Sequence, residues 1–366
     1  MGSGPLSAHA FRSRDMKIAD TPIPLAALLS LALLPSNAAC RADTATPIAP
    51  PGSSTPVDRL SQLGIFEGDV AKQTPRSDFV PYDVNVALYA DGASKLRFLY
   101  VPPGTHLGAT DDRWEVPIGA YFVKTFFYPL DARSPEAGRR LIETRFLVRN
   151  AGGYTVSTYL WNDEQTDAFA SPGNVDVPIT WIDEGGVAHV GHFHVPGTSQ
   201  CQSCHSERAL GLRTRQMDRA ATFPDGTANQ IDHLVRLGTL DAVPSQRLPL
   251  VDPLGSGSLD DRARSYLDAN CAHCHGAGGS AARTNFSLDR EDTDAPHLPL
   301  CRSTASVGGN DHVIVPGRPS ESALLARMTS TDPFVRMPRG PTHVPDGAGI
   351  AVLWTWIAAM SPAGCR

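Results

Sequence analysis

Two short stretches constrain this chain more than anything else in it. Cys201-Gln-Ser-Cys204-His205 and Cys271-Ala-His-Cys274-His275 each place two cysteines two residues apart with a histidine directly after the second. Two thiols at that spacing can add to the two vinyl groups of one porphyrin, and the adjacent imidazole is then held beneath the iron as an axial ligand. Paired Cys-X-X-Cys elements also build zinc tetrathiolate sites and redox dithiols, but neither use requires the following histidine. The chain has 12 histidines in 366 residues, so a histidine after both pairs selects the haem reading. The expectation is two covalently bound haem c groups, attached through Cys201, Cys204, Cys271 and Cys274, with His205 and His275 as axial ligands.

The compartment agrees with that chemistry. Arg12, Arg14 and Lys17 precede an apolar stretch, Pro24 to Leu34, which is followed by the small residues Ser36-Asn-Ala-Ala39. This is the pattern of an export signal and is too short to span a bilayer. Residues 1–39 are therefore expected to be a signal peptide that sends the chain to the periplasm, where c-type haem is attached. Cys40 stands where a lipoprotein would carry its acylated cysteine, which would tether the protein to a membrane. The preceding Asn37-Ala-Ala fits that use poorly, so a soluble periplasmic product is the leading expectation. A formal net charge of -6 argues against nucleic acid as a partner.

With 41% hydrophobic and 19% charged residues, the chain can bury more than one core. A Pro/Ser-rich linker at 40–57 leads into a segment, 58–197, that alternates as strands do: Asn85 to Tyr89, Lys95 to Val101, Ala120 to Tyr128, Thr144 to Val148, Tyr154 to Leu160 and Val177 to Trp181. Turn residues separate these runs and no helical pattern interrupts them, which predicts an antiparallel β-sandwich-like N-terminal domain. No catalytic signature is recognisable in it. Trp161 to Asp167 gathers three carboxylates but lacks the glycine-hinged loop of a calcium site. Lys95/Arg97 and Arg139/Arg140 read as surface charge. A short haem-binding segment follows at 198–258. From 259 to 366 helical patterns, Asp260 to Ala269 and Gly349 to Met360, predict an all-α C-terminal domain around the second motif. The fold class expected is thus multidomain, β plus α.

The second motif is followed by a Gly-rich loop, then Val313 to Met328, and then Met337-Pro338 before the last helix. This order resembles class I c-type cytochromes, in which a methionine followed by proline supplies the second axial ligand. The resemblance assigns that place to Met337, and gives Pro316 or a neighbour the carbonyl that orients the proximal imidazole. Met328 lies at helical spacing from Leu324 and Leu325 and reads as core. Around the first motif the sixth ligand stays open among Met217, His194, His192 and His233, each of which also has an ordinary structural use, and a five-coordinate iron is a further option. The two remaining cysteines of the second segment, Cys301 and Cys365, form an even set that in an oxidising compartment invites a disulfide.

Taken with Pro81-Tyr-Asp-Val-Asn, Arg97 to Gly104, Val123 to Pro129, Glu143-Thr-Arg and Trp161 to Ala168, the two haem motifs and the terminal cysteine pair resemble an exported bacterial family of di-haem c-type cytochromes. Such proteins join a β-rich N-terminal domain to a C-terminal class I-like cytochrome c domain. The resemblance runs from about residue 60 to the end and also supports the Cys301–Cys365 bridge. It implies electron transfer between periplasmic or membrane redox proteins. The rival readings are a peroxidase-like di-haem oxidoreductase with an open position at the first iron, and a β-domain binding module wired to the haems.

Overall fold

A computed structural model describes residues 57–366 apart from 206–208, 341, 363 and 366. The expected signal peptide, most of the linker and Cys40 lie outside the described residues, as does the side chain of Cys204.

The front half is β-rich because its apolar residues alternate with polar ones over runs of four to twelve residues. Strands β1 (Val80–Pro81), β2 (Ser94–Tyr100), β3 (Tyr121–Pro129), β4 (Arg139–Asn150), β5 (Gly153–Trp161) and β6 (Ala168–Ser171) make one six-stranded antiparallel sheet in chain order. Two further strands, β7 (Val175–Ile182) and β8 (Ala188–Val195), pair with each other as a separate hairpin. One face of the large sheet carries Phe98, Val123, Phe146 and Tyr159 and is covered by Leu60, Leu63, Ile65, Phe66 and Phe79 from the segment ahead of β1. The opposite face is apolar at both ends. At one end Phe126, Tyr128 and Ile142 pack on Ile179, Phe193 and Val195 of the β7–β8 hairpin. At the other, Leu99, Phe122 and Leu147 pack on Leu107, Trp114 and a set of residues from Leu212 to Leu240. The expected β-rich front half is therefore present, built as one meander with a hairpin laid over part of it.

Helix α1 (Thr198–His205) continues from β8 and rests on β5. Next come α2 (Thr214–Met217), the hairpin of β9 (Ala220–Phe223) and β10 (Gly226–Asn229), and α3 (Gln230–Arg236), which is capped by the Asn229 side chain accepting from the Ile231 amide.

The expectation of an all-α C-terminal cytochrome domain is overturned. Three helices are present, α4 (Leu259–Asn270), α5 (Ala323–Thr329) and α6 (Gly347–Ala359), of 12, 7 and 13 residues. Turns, 3-10 segments and a hairpin of β11 (Ser303–Val307) and β12 (Asn310–His312) fill the rest. The reason lies in the composition after the motif. Gly276, Gly278, Gly279, Pro296 and Pro299 interrupt any helix before residue 300, and Gly308-Gly309, with φ of 60° and 89°, form the tight turn of β11–β12. Across the described chain, strands and turns dominate and all six α-helices are short.

What the second segment keeps is a small core of its own. Ala263, Tyr266 and Leu267 of α4 meet Leu324, Leu325 and Met328 of α5 and Val352, Leu353 and Ile357 of α6. Met328 is thus core, as its spacing predicts. The α4–α6 crossing is close because residue 349 is glycine: a Cβ there would lie 2.3 Å from the Tyr266 ring. The same tyrosine donates its hydroxyl hydrogen to Asp346, the N-cap of α6, at 2.9 Å.

Candidate haem sites

At the second motif, α4 begins at its cap, Ser258, whose hydroxyl accepts from the Asp261 amide, and its last turn delivers the cysteines. The Cys271 amide bonds to Leu267 O at 2.9 Å, the Cys274 amide to Cys271 O at 3.1 Å and the His275 amide to Cys271 O at 2.8 Å. Both thiols and the imidazole are therefore carried on one tight, hydrogen-bonded turn at the helix end. The His275 ring stacks on Phe286 with centroids 5.0 Å apart and planes 15° from parallel. Its Nδ1 lies 3.4 Å from the Thr284 hydroxyl. Thr284, rather than Pro316, is thus the orienting neighbour seen at that nitrogen. Burial lowers the pKa of His275, which keeps the imidazole neutral, the form in which a ring nitrogen can ligate a metal. Burial also pushes the Cys271 thiol up to about 12.

Met337 sits half-buried in the loop between α5 and α6, its amide donating to Arg327 O at 3.1 Å. The Arg327 charge adds slightly to the lowering of the His275 pKa. Cys301 and Cys365 are joined, sulfur to sulfur, at 2.08 Å. A separate, largely apolar cavity of about 490 Å³ lies against α4 and α6, with Leu288, Pro316 and Trp356 in its wall.

At the first motif, α1 lays Cys201 against the sheet, 5% exposed. His205 lines a small cavity of about 40 Å³ with Phe122, Lys124, Arg145 and Leu210. A larger cavity of about 320 Å³ shares Lys124, Ala209 and Leu210 with it and extends to His273, inside the second motif. The candidate sixth ligands lie elsewhere. Met217 is fully buried in the core, its sulfur 3.5 Å from Gln230 Nε2. His233 stacks on Phe223 at 3.5 Å and meets Arg236 through Nδ1. His194 is bonded to Asp176 at 2.6 Å with His343 beside it, and His192 is exposed on the same face of β8. None of the four lines either cavity.

The sheet face beneath these cavities corrects one expectation. Lys95 and Arg97 are not surface charges. They point, with Lys124 and Arg145, to the inner face between its two apolar ends, and Arg97 is 7% exposed. In the strand register Arg97 stands opposite Lys124, which stands opposite Arg145. Arg97 is paired with Asp83 and Arg145 with the fully buried Glu143. Burial, with Arg97 and Arg145 alongside, brings the Lys124 ammonium down to about 7. The alternation of Lys95-Leu-Arg-Phe does place both cations on one face, but only the register shows which face is covered.

A second feature was not read from sequence. Arg213 and Arg215 bind Asp268 of α4 and Asp289, with Asp112 and Glu291 completing the group. Arg215 and Asp268 are 2% and 3% exposed. The network fixes the segment after the first motif to the helix that delivers the second.

A family model described as planctomycete cytochrome C matches residues 271–340. Residues 271–340 are a cytochrome c-like region. The match takes in the Cys271–His275 turn, Cys301 and Met337, and ends before α6. No curated protein and no solved structure matches the chain. A cytochrome c-like region implies covalently bound haem c and a haem-based role in electron transfer. The residues present fit that group, with both thiols and a neutral imidazole on one turn, and apolar walls from Phe286 and the α4–α6 core beside them.

Proposed function

We propose that the protein is an exported di-haem c-type cytochrome that passes single electrons between periplasmic or membrane redox proteins. The observation that carries this reading is the Cys271–Cys274–His275 turn at the end of α4 within the cytochrome c-like region. When bound, each haem supplies an iron that cycles between the ferric and ferrous states. The chain's own residues do the rest. Cys271 and Cys274 hold one group and Cys201 and Cys204 the other. His275 ligates as the neutral imidazole, its ring plane set by Phe286 and its Nδ1 side by Thr284. Met337, on the loop tethered to Arg327, supplies a thioether that favours the ferrous state and so raises the potential. The reading is supported by two adjoining cavities, one lined by His205 and the other by His273, that share Lys124, Ala209 and Leu210 in their walls. The signal-like residues 1–39 deliver the chain to the compartment where haem is attached, and Cys40 offers a lipid tether.

Potentiometric titration of the holoprotein tests this reading. Two one-electron steps are expected. Met337→His should lower one midpoint potential and leave the other in place, because an imidazole favours the ferric state more than a thioether does. A Met337→His protein with both potentials unchanged would remove Met337 from the iron.

A further inference from the structure

The row Arg97–Lys124–Arg145 is expensive as it stands. Like charges placed directly opposite one another across neighbouring strands destabilise a sheet, and these three stand on the inner face of β2, β3 and β4. Asp83 and Glu143 answer Arg97 and Arg145. Among the described residues no carboxylate lies within ion-pair distance of Lys124. Its side chain lines both cavities.

The larger cavity adds a second unanswered group from another element. His273 lines it, and His273 Nδ1 is buried with no hydrogen-bond partner among the described residues. Buried polar atoms are almost always bonded, and one that is not points to a missing partner. The remaining wall is divided. Val84, Trp114, Leu210 and their neighbours make part of it apolar, Arg97, Lys124 and His273 supply cationic and donor groups, and Asp268 in the same wall is already paired with Arg213 and Arg215. An apolar wall with donors at one end is the complement of a flat, greasy group that carries carboxylates on one edge. His205 lines the small cavity that shares Lys124 with it, and Lys124 and Arg145 are within electrostatic reach of the Cys201 sulfur.

We propose that this cavity receives the propionate carboxylates of the haem joined to Cys201 and Cys204, with Lys124 and His273 as their donors and Arg97 and Arg145 as flanking positive charge. The proposal rests on the di-haem reading above. Its particular consequence is that the carboxylate edge of the first haem is held by a residue inside the attachment loop of the second. His273 is thus a positioning residue for a haem it is not attached to, and the two groups are joined through one hydrogen bond rather than by proximity alone.

The test is potentiometric titration of holoprotein carrying Lys124→Gln, Lys124→Arg or His273→Ala, each with its haem content measured. A positive charge beside a carboxylate edge favours the ferrous iron, so its removal favours the ferric form. Lys124→Gln should lower the midpoint of the haem that Met337→His leaves alone. The oxidised-to-reduced ratio at a fixed potential should change about tenfold, or 59 mV for a one-electron couple. Lys124→Arg should recover most of that shift. His273→Ala should move the same midpoint in the same direction, although it lies in the other motif, and it keeps the test available if Lys124→Gln does not accumulate. Two attached haems with that midpoint unmoved by Lys124→Gln and His273→Ala would overturn the proposal and leave the di-haem reading intact. One haem per parent chain would overturn both. Millimolar succinate or phosphate should leave the parent potentials unchanged. A shift would show that the cavity takes a free anion, which also overturns the assignment.

Discussion

Replacing Arg215 with methionine is expected to cost about 3–5 kcal/mol of unfolding free energy, the range for breaking a buried ion pair from one side. Arg215 is 2% exposed and is bonded to Asp268, itself 3% exposed, and to Asp289. Methionine fills much of the volume, so the loss comes from leaving Asp268 in the interior with only Arg213 as counter-charge. The sign of the pH dependence follows. Burial already raises the pKa of Asp268 against the pull of Arg213 and Arg215, and removing Arg215 raises it further. A carboxyl with a raised folded-state pKa costs stability where it must be ionised and regains it on protonation. The difference between the variant and the parent should therefore be largest at neutral pH and narrow as the pH falls toward the ordinary carboxyl pKa of about 4. Urea titrations of both proteins at several pH values would measure this. A difference below about 1 kcal/mol at pH 7 would mean that the network contributes no more than a surface pair.

Removing the Cys301–Cys365 bridge should be of similar size for a different reason. The bridged residues are 64 apart in sequence, and closing a loop of that length in the unfolded chain is worth about 4 kcal/mol in the chain-entropy treatment. The bridge ties the end of the chain to the strand-leading turn before β11, on a segment whose helices alone bury a small core. Cys301→Ser with Cys365→Ser should lower stability by about 4 kcal/mol. The loss should fall chiefly on the unfolding of residues 259–366, which limited proteolysis would localise. Two titratable thiols at these positions in the unreduced, folded protein would contradict it.

The two five-residue motifs are legible in sequence because their residues are contiguous, and no knowledge of the fold is needed to see them. The strands were legible too, since apolar alternation writes itself into β2 through β5. The pairing of those strands was not. Lys95 and Arg97 look like solvent-facing positions, and they are buried because α1 and the segment after it, about a hundred residues later in the chain, cover that face. Asp268 and Asp289 likewise look like helix-surface and loop charges until Arg213 and Arg215 are brought onto them. The all-α expectation for the second segment failed between the helices rather than in them. α4, α5 and α6 are present, but the glycines and prolines of residues 276–319 form turns and a hairpin where helix was expected. Helical spacing from Leu324 and Leu325 marks Met328 as core, and its place in the α4–α5–α6 core agrees.

Two haems, one on each Cys-X-X-Cys-His motif, are expected on the mature chain. The full chain should be expressed with haem-maturation machinery. Intact-mass measurement with peptide mapping is then expected to find two covalent groups per chain, one on the peptide holding Cys201 and Cys204 and one on the peptide holding Cys271 and Cys274. A mature chain with no covalent haem, or with haem on only one of the two peptides, would contradict the account.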